Sequence, residues 1–221
     1  MIKYGILSSE PTYMLSLEVV AVFFATSALL CVAPGPDNIF VLTQSAVHGP
    51  KAGLLVTLGL CTGLMVHTTA VALGVATIFA TSEMAFSMLK IVGASYLLYL
   101  AWQAFKTKPA EPQQHDAEHR NHFRLYRRGV IMNITNPKIA IFFLAILPQF
   151  TTAGPTPLIG QMFLLGAIFT FTALIVFGTL AWSAGYFGEW LTRSTKNQLI
   201  LNRIAGTIFV ALALRLVFAS R

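Results

Sequence analysis

The sequence predicts an all-α integral membrane protein: six transmembrane helices in two inverted-topology three-helix repeats, with the first and fourth helices broken. Three observations carry this. The 221-residue chain is 56% hydrophobic and only 10% charged, whereas soluble domains carry about a quarter charged residues. Its apolar runs are long enough to cross a hydrocarbon core of roughly 30 Å. Two of those runs are interrupted at corresponding places, by APGPDN (Ala33–Asn38) and by NITNPK (Asn133–Lys138). Barrel-type alternation is absent, and lipid leaves a spanning backbone only the helix or the closed barrel.

The six runs follow in order. The first is Tyr13 to Val47, broken at Pro34–Asn38; the second is Ala52 to Phe79 and the third Met84 to Phe105. A polar loop from Lys106 to Arg128 separates them from the fourth, Gly129 to Phe150, which is broken at NITNPK. The fifth runs from Leu158 to Phe187 and the sixth from Leu199 to Phe218. Together they make one transmembrane domain over 1–221, with repeat 1 at about 13–106 and repeat 2 at about 129–219. Lys3 followed by an apolar run has the start of a secretory signal. The run passes through CVAPGP without a small-residue cleavage site, so it reads as a retained span.

The halves are similar to each other. KIVG (Lys90–Gly93) in the third run matches RIAG (Arg203–Gly206) in the sixth, and Pro36 in the first break corresponds to Pro137 in the second. Three spans is an odd number, so the second copy enters from the opposite side. The formal net charge of +7 does not indicate nucleic acid, because the basic residues flank apolar runs. Lys51, the six of the 106–128 loop, Arg193, Lys196 and Arg203 put ten positive charges on one side, against Lys3, Arg221 and Arg215 on the other. The positive-inside rule makes the ten-charge side cytoplasmic and both termini external.

A broken helix in lipid leaves backbone amides and carbonyls that hydrocarbon cannot satisfy, so it is tolerated only under protein or beside a water-filled cavity. Each half-helix end also carries a partial charge. Two breaks in corresponding positions of two repeats point to a carrier's binding site. The candidate pathway residues are therefore Pro34, Gly35, Pro36, Asp37 and Asn38 from the first break and Asn133, Asn136, Pro137 and Lys138 from the second. A molecule with both an ammonium and a carboxylate suits them: Asp37 and free carbonyls for the first, Lys138 and a half-helix N-terminus for the second. The plainer reading is that Asp37 and Lys138 neutralise one another, as buried opposite charges usually do. A pair that opens would be a gate.

APGPDNIFVL from Ala33, GPKAGL from Gly49, IVGASYLLYLAW from Ile91 and GVIMNITNPKIAIFFLAILPQF from Gly129 resemble the LysE/RhtB amino-acid exporters. The resemblance runs over nearly the whole chain from about Leu17. Asp37 makes it more similar to the RhtB group, for homoserine, threonine and other neutral amino acids, than to the group for basic ones. The resemblance implies export across the bacterial inner membrane, driven by the proton gradient, with no cofactor. Met1 to Met14 fall outside it.

The other polar residues have plain structural readings. His67, alone in the second run, reads first as a packed or hydrogen-bonded histidine and second as a proton relay. Glu18 sits at headgroup level, and Lys90 and Arg203 snorkel. GLCTG (Gly59–Gly63) and Gly160, Gly166, Gly178 and Gly185 have the small-residue pattern of close helix packing, which also suits a homodimer. Cys31 and Cys61 read as small buried hydrophobes. His115, His119 and His122, with Asp116 and Glu118, read as a solvated linker rather than a metal site, and the basic residues beside them suit anionic lipid.

The function classes narrow accordingly. No GxxxxGK[ST] occurs, so the chain does not hydrolyse a nucleotide by a P-loop. An intramembrane aspartyl protease needs two carboxylates sharing a proton, and only Asp37 lies deep in a span. The reading is a secondary exporter of neutral amino acids or derivatives of the threonine, homoserine or leucine kind, not an enzyme. Asp37 is the candidate proton-linked carboxylate. One charge moving through roughly 150 mV supplies about 3.5 kcal/mol, enough for a concentration ratio on the order of a few hundred. The alternative is a cation exporter or a passive small-solute channel, which would need a continuous polar path.

Overall fold

The protein is described by a computed structural model covering residues 15–33, 35–81, 83–106, 121–152, 156–184 and 195–218. Pro34, Gly185, Arg193 and the histidine-rich loop from 107 through 120 lie outside the described residues, as do 1–14 and the C-terminal 219–221. The side chains of Lys90, Lys196 and Arg215 also lie outside them. Among the described residues the elements are helices and one 3-10 turn. In order they are α1 (Leu17–Val32), α2 (Pro36–His48), α3 (Pro50–Thr81), α4 (Glu83–Lys106), α5 (His122–Ile134), α6 (Pro137–Ala145), the 3-10 turn Leu147–Phe150, α7 (Leu158–Trp182) and α8 (Thr195–Phe218).

Both anticipated breaks are present as bends. α1 and α2 meet at 62°, and α5 meets α6 with its following turn at 51°. In each case the second half-helix starts on a proline, Pro36 or Pro137, whose missing N–H is one a helix start leaves unbonded anyway. Stretches of α3 (Pro50–Gly74) and α7 (Leu158–Trp182), each 25 residues, are long and apolar enough to cross a membrane, and each bent pair qualifies when taken as one span. α4 and α8 are each 24 residues long. Large apolar side chains face outward along these helices, among them Leu58, Met65, Leu98, Phe171, Ile175 and Leu214. A bilayer, not water, is the solvent that such a surface matches.

Two boundaries differ from those the sequence predicts. The polar loop does not extend to Arg128: α5 begins at His122, because Asn121 caps it by accepting the Arg124 backbone N–H at 3.2 Å. Charge density marked this turn as loop, but a capped helix carries basic residues as readily as a loop does. The sixth is already helical at Thr195, four residues before the predicted Leu199. α7 ends at Trp182, where the Ser183 N–H bonds the Thr179 carbonyl, and the predicted end of the fifth run at Phe187 lies outside the described residues.

Small residues set the packing around the bends. α3 lies against α5, where a Cβ on Gly59 would fall 3.0 Å from the Gly129 Cα, and one on Gly63 would fall 2.6 Å from the Asn133 Cβ. Gly166 of α7 abuts Thr68 of α3, whereas Gly178 makes only ordinary contact with Leu54. The glycine pattern that suggested close approach thus works within the chain, between α3 and its neighbours. Phe23, Phe142, Phe143, Phe150 and Phe169 form an aromatic layer with centroid separations down to 5.0 Å. It packs α1, α6 and α7 together directly beside the two bends. Gln161, fully buried at the start of α7, accepts the Thr152 N–H at 2.8 Å and donates to the Thr152 carbonyl at 2.9 Å. This pins the segment that leaves the 3-10 turn.

Candidate functional site

The site follows from an accounting of backbone carbonyls. In a continuous α-helix each C=O receives the N–H four residues on. Pro36 has no N–H for the Val32 carbonyl, and the bend removes the neighbouring donors as well. Two of the carbonyls at the α1 terminus are satisfied by side chains: Cys31 O receives Asn38 Nδ2 at 2.6 Å, and Ala33 O receives Lys138 Nζ at 2.9 Å. At the second bend Pro137 withholds the N–H due to Asn133 O. That oxygen instead accepts the Asn136 N–H at 3.0 Å and His67 Nε2 at 3.1 Å. A carbonyl can only accept, so His67 carries its proton on Nε2 in this contact.

The carboxylate of Asp37 faces the other break in the same way. Its Oδ2 accepts Asn136 Nδ2 at 3.0 Å and, at a longer 3.5 Å, Asn133 Nδ2. Asn136 is also the N-cap of α6, where its Oδ1 accepts the Lys138 N–H at 3.0 Å. Asp37 and Lys138 each stand immediately after the proline that opens a half-helix. The acid complements the positive end of α2, while the lysine is repelled by its own helix end and is drawn to the carbonyl end of α1. The direct Asp37–Lys138 ion pair, the plainer alternative in the sequence, is not formed. The lysine goes to backbone and the acid to two amides.

Of the sequence-predicted residues, Gly35, Asp37, Asn38, Asn133, Asn136 and Lys138 line one small cavity, closed on its other side by apolar groups including Leu64, Ile139, Phe169 and Phe177. Pro36 and Pro137 are exposed and act by shaping the half-helix starts. The cavity has room for about one water molecule. An amino acid does not fit in this state. Two acceptors at its wall, Asp37 Oδ1 and Asn133 Oδ1, are buried with no hydrogen-bond partner.

Sequence reasoning treated His67 as a packed histidine and did not connect it to the break. The signal was available: Pro137 stands four residues after Asn133, so the Asn133 carbonyl needs a donor from elsewhere. Gly63, one turn before His67, gives Asn133 the space to sit against α3. Cys31 and Cys61 are buried and unpaired, as expected. Glu18 is exposed in the first turn of α1. Among the described residues no group of His, Cys, Asp or Glu is gathered as a metal site would require.

Comparison with known proteins gives the same direction. The family model described as LysE type translocator matches residues 28–220. The homoserine/homoserine lactone efflux protein of Salmonella typhimurium is 32% identical over 188 residues, covering 85% of this chain and 90% of its own. A membrane protein of Bacillus subtilis, YrhP, is 29% identical over 202 residues, covering 87% of this chain and 95% of its own. One from Vibrio cholerae is 28% identical over 207, covering 93% and 99%. No solved structure matches the chain. With a family match over most of its length, two bent spans and an apolar outer surface, this chain is a multi-pass membrane protein of the LysE-type translocator family, a transporter and not an enzyme.

Proposed function

We propose that the protein is a secondary exporter of small neutral amino acids or their derivatives, of the homoserine, threonine or leucine kind, driven by the proton gradient. The observation that carries this is the pair of buried, unpartnered acceptors, Asp37 Oδ1 and Asn133 Oδ1, at the wall of a cavity whose other polar end is Lys138. Leaving buried acceptors unpaired costs about 1–3 kcal/mol each. A substrate ammonium supplies three donors and would satisfy both. Lys138, held by a single carbonyl, is free to exchange that contact for a carboxylate. The apolar wall of Leu64, Ile139, Phe169 and Phe177 suits a side chain without charge. The efflux activity named for the Salmonella relative supports the same substrate class.

In this reading six spans form two inverted repeats, 13–106 and 129–219, in the bacterial inner membrane, with the basic 1–2, 3–4 and 5–6 loops in the cytoplasm. Asp37 exchanges a proton for the substrate ammonium, since both compete for the same oxygen. The basic loops attract anionic lipid, and a homodimer is formed through lipid-facing helix surfaces.

Counterflow of labelled homoserine, threonine, leucine and lysine into proteoliposomes, with and without a pH gradient, tests this. Saturable, gradient-dependent flux of a neutral amino acid is expected. Flux that never saturates would make the protein a channel, and flux of cations alone would make it a cation exporter.

A further inference from the structure

The described site does not account for the rest of α2. Along this helix Asp37, Gln44 and His48 follow at intervals of seven and four, which sets them nearly in line on one face, with Ser45 beside them. Asp37, Gln44 and Ser45 are all buried. Ser45 Oγ and His48 Nδ1 are buried atoms without a hydrogen-bond partner, as is Asp37 Oδ1 on the same face. Ser45 is 3% exposed, so water does not serve it from outside. A helix in the middle of a membrane bundle gains nothing from such a row when only packing matters. Native structures rarely leave buried polar atoms unpaired, and each case calls for an explanation.

The surface opposite Ser45 is small and apolar. Gly53 at the start of α3 stands between Ser45 and Ala181 of α7: a Cβ there would lie 2.9 Å from the Ala181 Cβ and 3.1 Å from the Ser45 Cβ. Phe177, one turn before Ala181, lines the cavity at Asp37. The seam therefore runs from the Gly49 turn, where α2 ends, to the central cavity, a distance of about 16 Å along the helix. On the α2 side the unpartnered Ser45 Oγ and His48 Nδ1 lie toward the turn and Asp37 Oδ1 at the cavity, with buried Val41 between them. The Gly53–Ala181 surface facing Ser45 offers it no hydrogen bond. Two such surfaces separate without breaking polar contacts, and water entering between them would supply the missing partners.

We propose that the seam between α2 and the α3/α7 wall, lined by Gln44, Ser45 and His48, is the passage by which water and substrate reach Asp37 from the side of the Gly49 turn. This rests on the transport reading above. The structure holds that passage shut, and opening it connects the turn to Asp37.

Accessibility of engineered thiols tests it. Cys31 and Cys61 are first replaced by Ala, and Gln44→Cys, Ser45→Cys and Leu42→Cys are then made singly. Leu42 is equally buried on α2 but lies away from the row. Each variant is exposed to a membrane-impermeant, positively charged methanethiosulfonate reagent in inside-out and right-side-out vesicles, and homoserine flux is measured in parallel. Gln44→Cys and Ser45→Cys should react several-fold faster than Leu42→Cys from one vesicle face only, the face that also labels a His48→Cys variant. Equal, slow reaction of all three buried thiols from both faces, in vesicles where the thiol-free parent transports, overturns the passage and leaves the transport reading intact. One-sided reaction without flux of any amino acid supports the passage and overturns the exporter.

Discussion

Asp37 and Lys138 occupy the same position in two half-helices, the residue after the opening proline, and each is bonded to the other break rather than to its counterpart. Lys138 Nζ holds the Ala33 carbonyl at the end of α1, and Asp37 Oδ2 holds the side-chain amides of Asn133 and Asn136. Opposite charges in a low-dielectric interior ordinarily meet. Here the helix ends compete for them, since each charge finds backbone or amide partners that the breaks themselves expose. Neither charge is locked to the other, which is what the zwitterion site proposed above requires.

Replacing the acid separates coupling from folding. Asp37→Asn keeps an oxygen that can accept the Asn136 amide, so the protein should fold and melt in detergent close to the wild type. Homoserine uptake should no longer respond to an imposed pH gradient, because an amide carries no exchangeable charge. Proteoliposome flux with the gradient present and collapsed checks this, and surviving gradient dependence would move the coupling to another group.

Lys138→Met leaves the Ala33 carbonyl buried without a donor. That omission should destabilise the protein by about 1–3 kcal/mol, read as a lower melting midpoint in detergent. Lys138→Arg keeps a cationic donor of similar reach and should recover part of the loss. Equal melting of Lys138→Met and wild type would mean that the carbonyl is served by water.

His67→Leu should loosen the C-terminal turn of α5, since Asn133 O loses its side-chain donor. Asn133 also donates to Asp37, so the effect should reach the site as a raised KM for the transported amino acid, with expression unchanged. His67→Gln places an amide N–H at comparable reach and should bring KM back toward wild type. A kinetic split between Leu and Gln distinguishes the hydrogen bond from loss of packing against Phe143.

Gly63→Ala puts a methyl 2.6 Å from the Cβ of Asn133. Overpacking of this kind costs about 1–3 kcal/mol, and α5 must move from α3 to relieve it. The variant should lose transport more severely than Gly178→Ala, whose added methyl meets only Leu54 at 3.9 Å. Flux per unit of protein in proteoliposomes compares the two.

The breaks were legible in the sequence because proline, glycine and charge in an apolar run leave few physical alternatives. Asp37, Asn38, Asn133, Asn136 and Lys138 do line one cavity, as the paired motifs suggested. Their partners were not legible. Residue types show that Lys138 needs an acceptor, but not that a carbonyl 105 residues earlier provides it. His67 was read in isolation, since its role arises only when α3 packs on α5. The start of α5 was missed for another reason: charge was taken for loop, although Asn121 followed by a basic, aromatic turn is a capped helix start.

The cross-bonding of the two breaks also constrains how the protein is made. In the order of synthesis, the Ala33 carbonyl enters the membrane long before Lys138 exists to meet it. Until then the first bend carries an unmatched polar group, and the newly inserted amino-terminal half is an incomplete structure. The second half, in turn, brings Asn133 and Asn136, whose amides need Asp37. A chain truncated after Lys106 would therefore keep the first break without Lys138, Asn133 and Asn136, the residues that hold its exposed carbonyl and carboxylate.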